Sequence, residues 1–127
     1  MVSGDDVSAI AQRNYEAAEA NKDADLAAAT TVAQSVAIEA NFEQAMAAYL
    51  ETIIAGFKAK TGDWDALAAE AEAAEQALTA AREKAEGVAA TITAMGTLTG
   101  AVTNLVNAVK QAPAGGGQQP AGGGAQA

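Results

Sequence analysis

A single apolar repeat runs along the second half of the chain on alternating steps of four and three: Leu67, Ala71, Ala74, Leu78, Ala81, Ala85, Val88, Ile92, Met95, Thr99, Val102, Val106, Val109. Only Thr99 is polar among these positions. Heptad spacing of this kind keeps one side of a helix against a partner turn after turn, whereas a strand repeats every two residues. The charges of the segment, Glu70, Glu72, Glu75, Arg82, Glu83, Lys84 and Glu86, all fall off the seam, as a solvated helix face requires. The spacing therefore predicts helix from Leu67 to Val109, packed along one line.

The part of the repeat from 87 to 109 carries no charged side chain. It is long enough to span a bilayer, which takes about 20 apolar residues, and Gly96 and Gly100 form the G-x-x-x-G pair of close-packed membrane helices. Thr91, Thr93, Thr97, Thr103, Asn104 and Asn107 nevertheless make it only weakly hydrophobic. A helix buried in protein is the expectation, with a lipid-inserted helix as the alternative.

Upstream, Asp5, Asp6 and Ser8 supply acceptors and negative charge for a helix start. Good helix formers then continue without proline to about Lys60. The run Asn21-Lys22-Asp23-Ala24-Asp25 is the weakest stretch, read as continuous helix or a mild kink. Ile38, Phe42, Met46, Tyr49, Ile53 and Phe57 recur at helical steps and are assigned to the core, flanked by Leu50 and Ile54. Thr61-Gly62-Asp63-Trp64 then punctuates the chain: Gly62 suits a helix end, Lys58 and Lys60 complement the negative end of the dipole, and Asp63 suits an N-cap.

These signals predict an all-α chain: a long antiparallel helical hairpin over 5–111 with its turn at 60–63, or three helices if the first arm breaks near 21–25. Arms of that length make a rod of roughly 70 Å. Folded at Gly62, the bulky residues 42–57 come opposite the alanine seam of 67–82, and the alanine-rich 17–37 opposite 88–107, so that large meets small. Residues 1–4 read as a disordered lead. Residues 112–127, where Pro-Ala-Gly-Gly-Gly occurs twice among Gly, Ala, Gln and Pro, read as a flexible tail that cannot offset its ordering entropy.

The chain has no histidine and no cysteine. Disulfides, thiolate metal sites, histidine ligands and His-dependent triads are thereby excluded. Carboxylates alone remain for chemistry, and Glu70, Glu72 and Glu75 lie on the solvated side of their helix, without the cleft that raises a carboxyl pKa. No catalytic residue, cofactor or metal is expected. The net charge of −9 argues against nucleic acid, whose recognition needs cations to displace phosphate counterions. The amino-terminal residues carry acids where a secretory signal has bases, so the expected location is the cytoplasm, or export without a cleavable signal.

A Trp and a Gly in the inter-helix turn, as Gly62-Asp63-Trp64, give the chain an architectural resemblance to the Trp-x-Gly family of small secreted helical hairpins. Here the order of the two residues is reversed, and the resemblance assigns no residue a role. It implies export without a cleavable signal.

One alanine-rich seam is thin support for a long rod, and Leu50, Ile54, Trp64, Leu98 and Leu105, with Gly96 and Gly100, are surplus to it. They are the candidate interface residues of a self-associating, non-enzymatic structural protein, a homo-oligomer or the partner of another helical protein. The alternatives are a membrane-active protein that inserts 87–109 and a small helical adaptor or chaperone.

Overall fold

In the computed structural model, residues 2–84 and 87–112 are described. Among them are four α-helices: α1 (Gly4–Ala28), α2 (Val32–Ile54), α3 (Asp65–Glu83) and α4 (Val88–Lys110), with a short 3-10 turn at Phe57–Ala59. The chain is all-α, and each arm of the expected hairpin is folded once more. Of the flexible tail expected over 112–127, Ala112 is held by Lys60 and 113–127 lie outside the described residues.

The chemistry of each helix end explains where the chain reverses. α1 opens with a capping box that begins two residues before Asp5 and uses Asp6: Ser3 Oγ accepts from Asp6 N at 3.1 Å, while Asp6 Oδ2 accepts from Ser3 N at 3.0 Å. Ser3 and Gly4 thus belong to the folded unit. The helix then passes through 21–25 unbroken, because Asn21 Nδ2 donates to Ala17 O at 2.8 Å and Asp25 finds Arg82. The break comes at 29–31, where Thr31 Oγ1 accepts from Gln34 N and caps α2. α3 and α4 are separated at Gly87, whose φ of 110° and ψ of 161° belong to a region that side chains with a Cβ avoid. The heptad repeat from Leu67 to Val109 is therefore carried by two helices.

Between α2 and α3 the chain leaves the helix earlier than expected. α2 ends at Ile54, and Gly56, with φ of 67°, takes the left-handed turn assigned from sequence to Gly62. Gly62 instead lies under the Trp64 ring, and the side chain of Asp63 accepts from Asp65 N at 3.2 Å at the start of α3.

Long-range pairs fix the arrangement. Arg13 of α1 reaches Glu75 of α3, and Arg82 of α3 reaches Asp25 of α1, so these helices run in the same direction. Glu51 and Lys110, near the last turns of α2 and α4, approach to 3.7 Å, so this pair also runs parallel. Within each hairpin the helices are antiparallel. α4 packs against α1, α2 and α3 together, while α2 and α3 stand on opposite corners. The predicted meeting of 42–57 with 67–82 does not occur, because the two extra reversals bring α4 between them. In place of a rod of roughly 70 Å, the helices are about 28–38 Å long at 1.5 Å per residue.

This position accounts for the uncharged sequence of α4. Met95, Leu98, Val102, Leu105, Val106 and Val109 are all buried in its centre, each contributing about 1.5–3 kcal/mol of transfer free energy. Thr99 is fully buried and accepts a hydrogen bond at 3.2 Å from Asn14 Nδ2 of α1, which satisfies the one polar member of the repeat. Below the bundle, residues 55–64 cross from one corner to the other, burying Phe57 and Trp64. Lys60 Nζ donates to Lys110 O at 3.1 Å and Ala112 O at 2.7 Å, closing the carboxyl end of α4.

Candidate functional site

α2 has its bulk on the wrong side for an ordinary surface helix. The residues it buries are Ile38, Asn41, Ala45, Ala48 and Thr52, mostly small or polar. Close approach of α1 and α4 leaves little volume on that side. Its large apolar side chains point out: Val32 is 80% exposed, Val36 60%, Leu50 45%, Ile53 57% and Ile54 79%. These five are the exposed large hydrophobic residues of the described chain, and all belong to this one helix.

The flank toward α1 is occupied. Tyr15 stacks on Tyr49 with ring centroids 5.8 Å apart and meets Phe42 at the same separation. Lys22 Nζ lies 4.5 Å from the centre of the Phe42 ring and 3.1 Å from Glu39 Oε1. Ser8 and Thr52 share a hydrogen bond of 2.9 Å, in which Ser8 donates because Thr52 Oγ1 gives its own proton to Tyr49 O. This ladder holds α2 on α1 and leaves the outer stripe uncovered. On the other flank a shallow groove runs between α2 and α4, lined by Ala47, Glu51, Thr103 and Asn107 among others.

The residues singled out from sequence separate into three groups. Leu50 and Ile54 lie on the outer stripe. Trp64, Leu98 and Leu105 are core residues and offer nothing to a partner: Trp64 closes the base of the bundle, and the two leucines belong to the second inward row that α4 needs to meet three neighbours. Gly96 and Gly100 are exposed on the outer side of α4, where an added Cβ meets no described atom within 4 Å, so no neighbour among the described residues requires a glycine there. Val32, Val36 and Ile53 were missed as surface residues. Ile53 had been placed in the core stripe, and the valines sat in a stretch read only as alanine-rich.

No group of three or more acidic residues is placed to hold a metal among the described residues. Glu75 is held by Arg13 through two hydrogen bonds of 3.1 and 3.2 Å, and Glu70 and Glu72 face solvent. A cleft of about 520 Å³ opens at the base between α1 and α2, beside Asp5, Gln12, Tyr49 and Lys58. Compared with protein-family models, with characterised proteins and with solved structures, the chain matches none. Its likeness to the Trp-x-Gly hairpins rests on the turn residues alone, and the four-helix arrangement departs from a simple hairpin.

Proposed function

We propose that this protein is a non-enzymatic assembly subunit that associates with further copies of itself through the outer face of α2. The observation that carries this reading is the confinement of the exposed large apolar side chains to that one face. Single exposed hydrophobic residues are ordinary on a protein surface, but several gathered on one helix, at both ends of its outer face, are a feature of contact surfaces. The absence of histidine and cysteine from the whole sequence supports a role outside catalysis. Each added subunit brings a further net charge of −9, so association strengthens as salt screens the repulsion.

Size-exclusion chromatography with light scattering over a wide concentration range tests the proposal. The expected result is a concentration-dependent rise in mass, abolished in a Leu50→Glu/Ile54→Glu variant that keeps its helical circular dichroism. A wild-type monomer at every concentration and salt level would sink it.

A second reading is insertion of α4 into a membrane. Among the described helices, Val88–Lys110 is the one long and apolar enough by composition to cross a bilayer. Against this reading stands its place among three neighbours, since its withdrawal exposes their inner faces. Flotation with liposomes at neutral and acidic pH separates the two, because a subunit that assembles through α2 stays at the bottom of the gradient.

A further inference from the structure

The α2 stripe has an internal symmetry that bears on what covers it. Counted from Glu43, Glu39 and Ala47 lie four residues to either side, Val36 and Leu50 seven, and Val32 and Ile54 eleven. At 3.6 residues per turn, all these positions fall within an arc of roughly 80°, and all are exposed. A second α2 laid antiparallel about Glu43 meets the first with Val36 against Leu50 and Val32 against Ile54 at both ends. Each smaller side chain then faces a larger one.

A parallel pairing matches the stripe less well. It places each valine opposite a valine and each larger residue opposite its equal, sets both Glu39 and Glu43 against their own copies, and aligns the helix dipoles head to head. In the antiparallel pair only Glu43 meets itself, since Glu39 faces Ala47 and is already held by Lys22 at 3.1 Å. The surroundings leave Glu43 as the uncompensated charge. Residues 15–22 of α1 run opposite this part of α2 and contribute Glu16, Glu19 and the engaged Lys22. α4, on the other flank, has no charged side chain before Lys110, which approaches Glu51 at 3.7 Å.

We infer that the outer face of α2 is an isologous interface for a second copy of this chain, with the two α2 helices antiparallel and their Glu43 side chains facing at the two-fold axis. The inference rests on the assembly reading above and specifies its geometry. A standard interface buries about 800 Å² per partner, more than one helix stripe supplies, so the dimer is reversible at micromolar concentrations. The facing carboxylates oppose it, which keeps the association weak.

The natural chain lacks cysteine, so single-cysteine variants of the full chain read the geometry directly. Under mild oxidation, Glu43→Cys forms a linked dimer, and Val36→Cys links to Leu50→Cys at least several-fold more than to itself. Glu72→Cys, on the exposed side of α3, sets the collisional background. In sedimentation, Glu43→Gln tightens association about tenfold at pH 7.

Linking of Val36→Cys to itself as readily as to Leu50→Cys, in a protein that still dimerises, overturns the antiparallel geometry and leaves the assembly reading intact. Background linking throughout, with a monomeric wild type, removes both.

Discussion

Arg82 on α3 holds Asp25 on α1 through both terminal nitrogens, at 2.8 and 3.0 Å, with the aspartate side chain only 9% exposed. The pair fastens the end of the bundle at which both short reversals occur. Its two partners are far apart in sequence, and each lies in a stretch otherwise rich in alanine.

Arg82→Ala leaves a carboxylate among apolar neighbours with no cation. Breaking a buried pair from one side costs about 3–5 kcal/mol, and since Arg82 keeps some contact with water the expected loss is near the lower end. Guanidinium unfolding of this variant and of Asp25→Ala/Arg82→Ala measures it. The double variant is expected to lose less than the sum of the singles.

Gly4→Ala and Gly96→Ala should move stability in opposite directions. A Cβ on Gly4 falls 2.0 Å from the Phe57 carbonyl oxygen and 3.0 Å from that of Lys60, both backbone atoms that cannot swing aside. The start of α1 must lift from the crossing segment, at about 2 kcal/mol. At Gly96 the added methyl meets open space in a helix interior, and removing the glycine stabilises by about 0.5–1 kcal/mol. Thermal melts of the two variants beside wild type give the signs.

The capping box predicts a pH dependence. Hydrogen bonds from the Ser3 backbone and then the Ser3 side chain hold the Asp6 carboxyl below its usual range. A folded-state pKa below the unfolded one contributes stability above the ordinary carboxylate pKa, and that contribution disappears as pH falls through the folded value. Asp6→Asn should therefore melt below wild type at neutral pH and approach it in acid. A constant gap across the titration would show that the cap carries no charge-dependent term.

Asn41 presents a buried Oδ1 with no hydrogen-bond partner. An orphaned acceptor of this kind costs about 1–3 kcal/mol, so Asn41→Leu, close in volume, should raise the unfolding midpoint. Asn14→Leu should lower it, because that change removes the partner of buried Thr99. Chemical denaturation of the two variants side by side distinguishes the residues.

The helical class, a start near Asp5 and a break between helices before Asp65 were legible because each rests on local chemistry: propensity, caps and a glycine between charged residues, although α2 ends at Ile54, ahead of the turn expected at 60–63. The reversals at 29–31 and 84–87 were also written locally, in Thr31-Val32-Ala33-Gln34 and in the basic residues Arg82 and Lys84 ahead of Gly87. The one at Gly87 was hidden by the seam, and the one at 29–31 by the lack of any glycine or proline to stop the first arm. A heptad repeat says which side of a helix faces inward, and it keeps that phase when the chain folds back into the same core. The surface stripe was illegible for a different reason. Which side of α2 faces the core is decided by how closely α1 and α4 approach it, and Ala45 and Ala48 take that side because only small residues fit. Size alone suggested the reverse, and Ile53 was misplaced accordingly.

The crossing of residues 55–64 beneath the helices makes the two ends of the molecule mechanically unequal. At the base, α1 abuts the segment at Gly4, Val2 N bonds the Asp65 side chain, and Lys60 grips the last carbonyls of α4. At the opposite end none of the described segments crosses between the hairpins, and the ion pair described between them there is Asp25 with Arg82. Fluctuations that part the hairpins therefore begin at that end and stop at the base, so that amide protons near 25–35, 80–84 and 87–90 exchange with solvent well before those around Phe57 and Leu105.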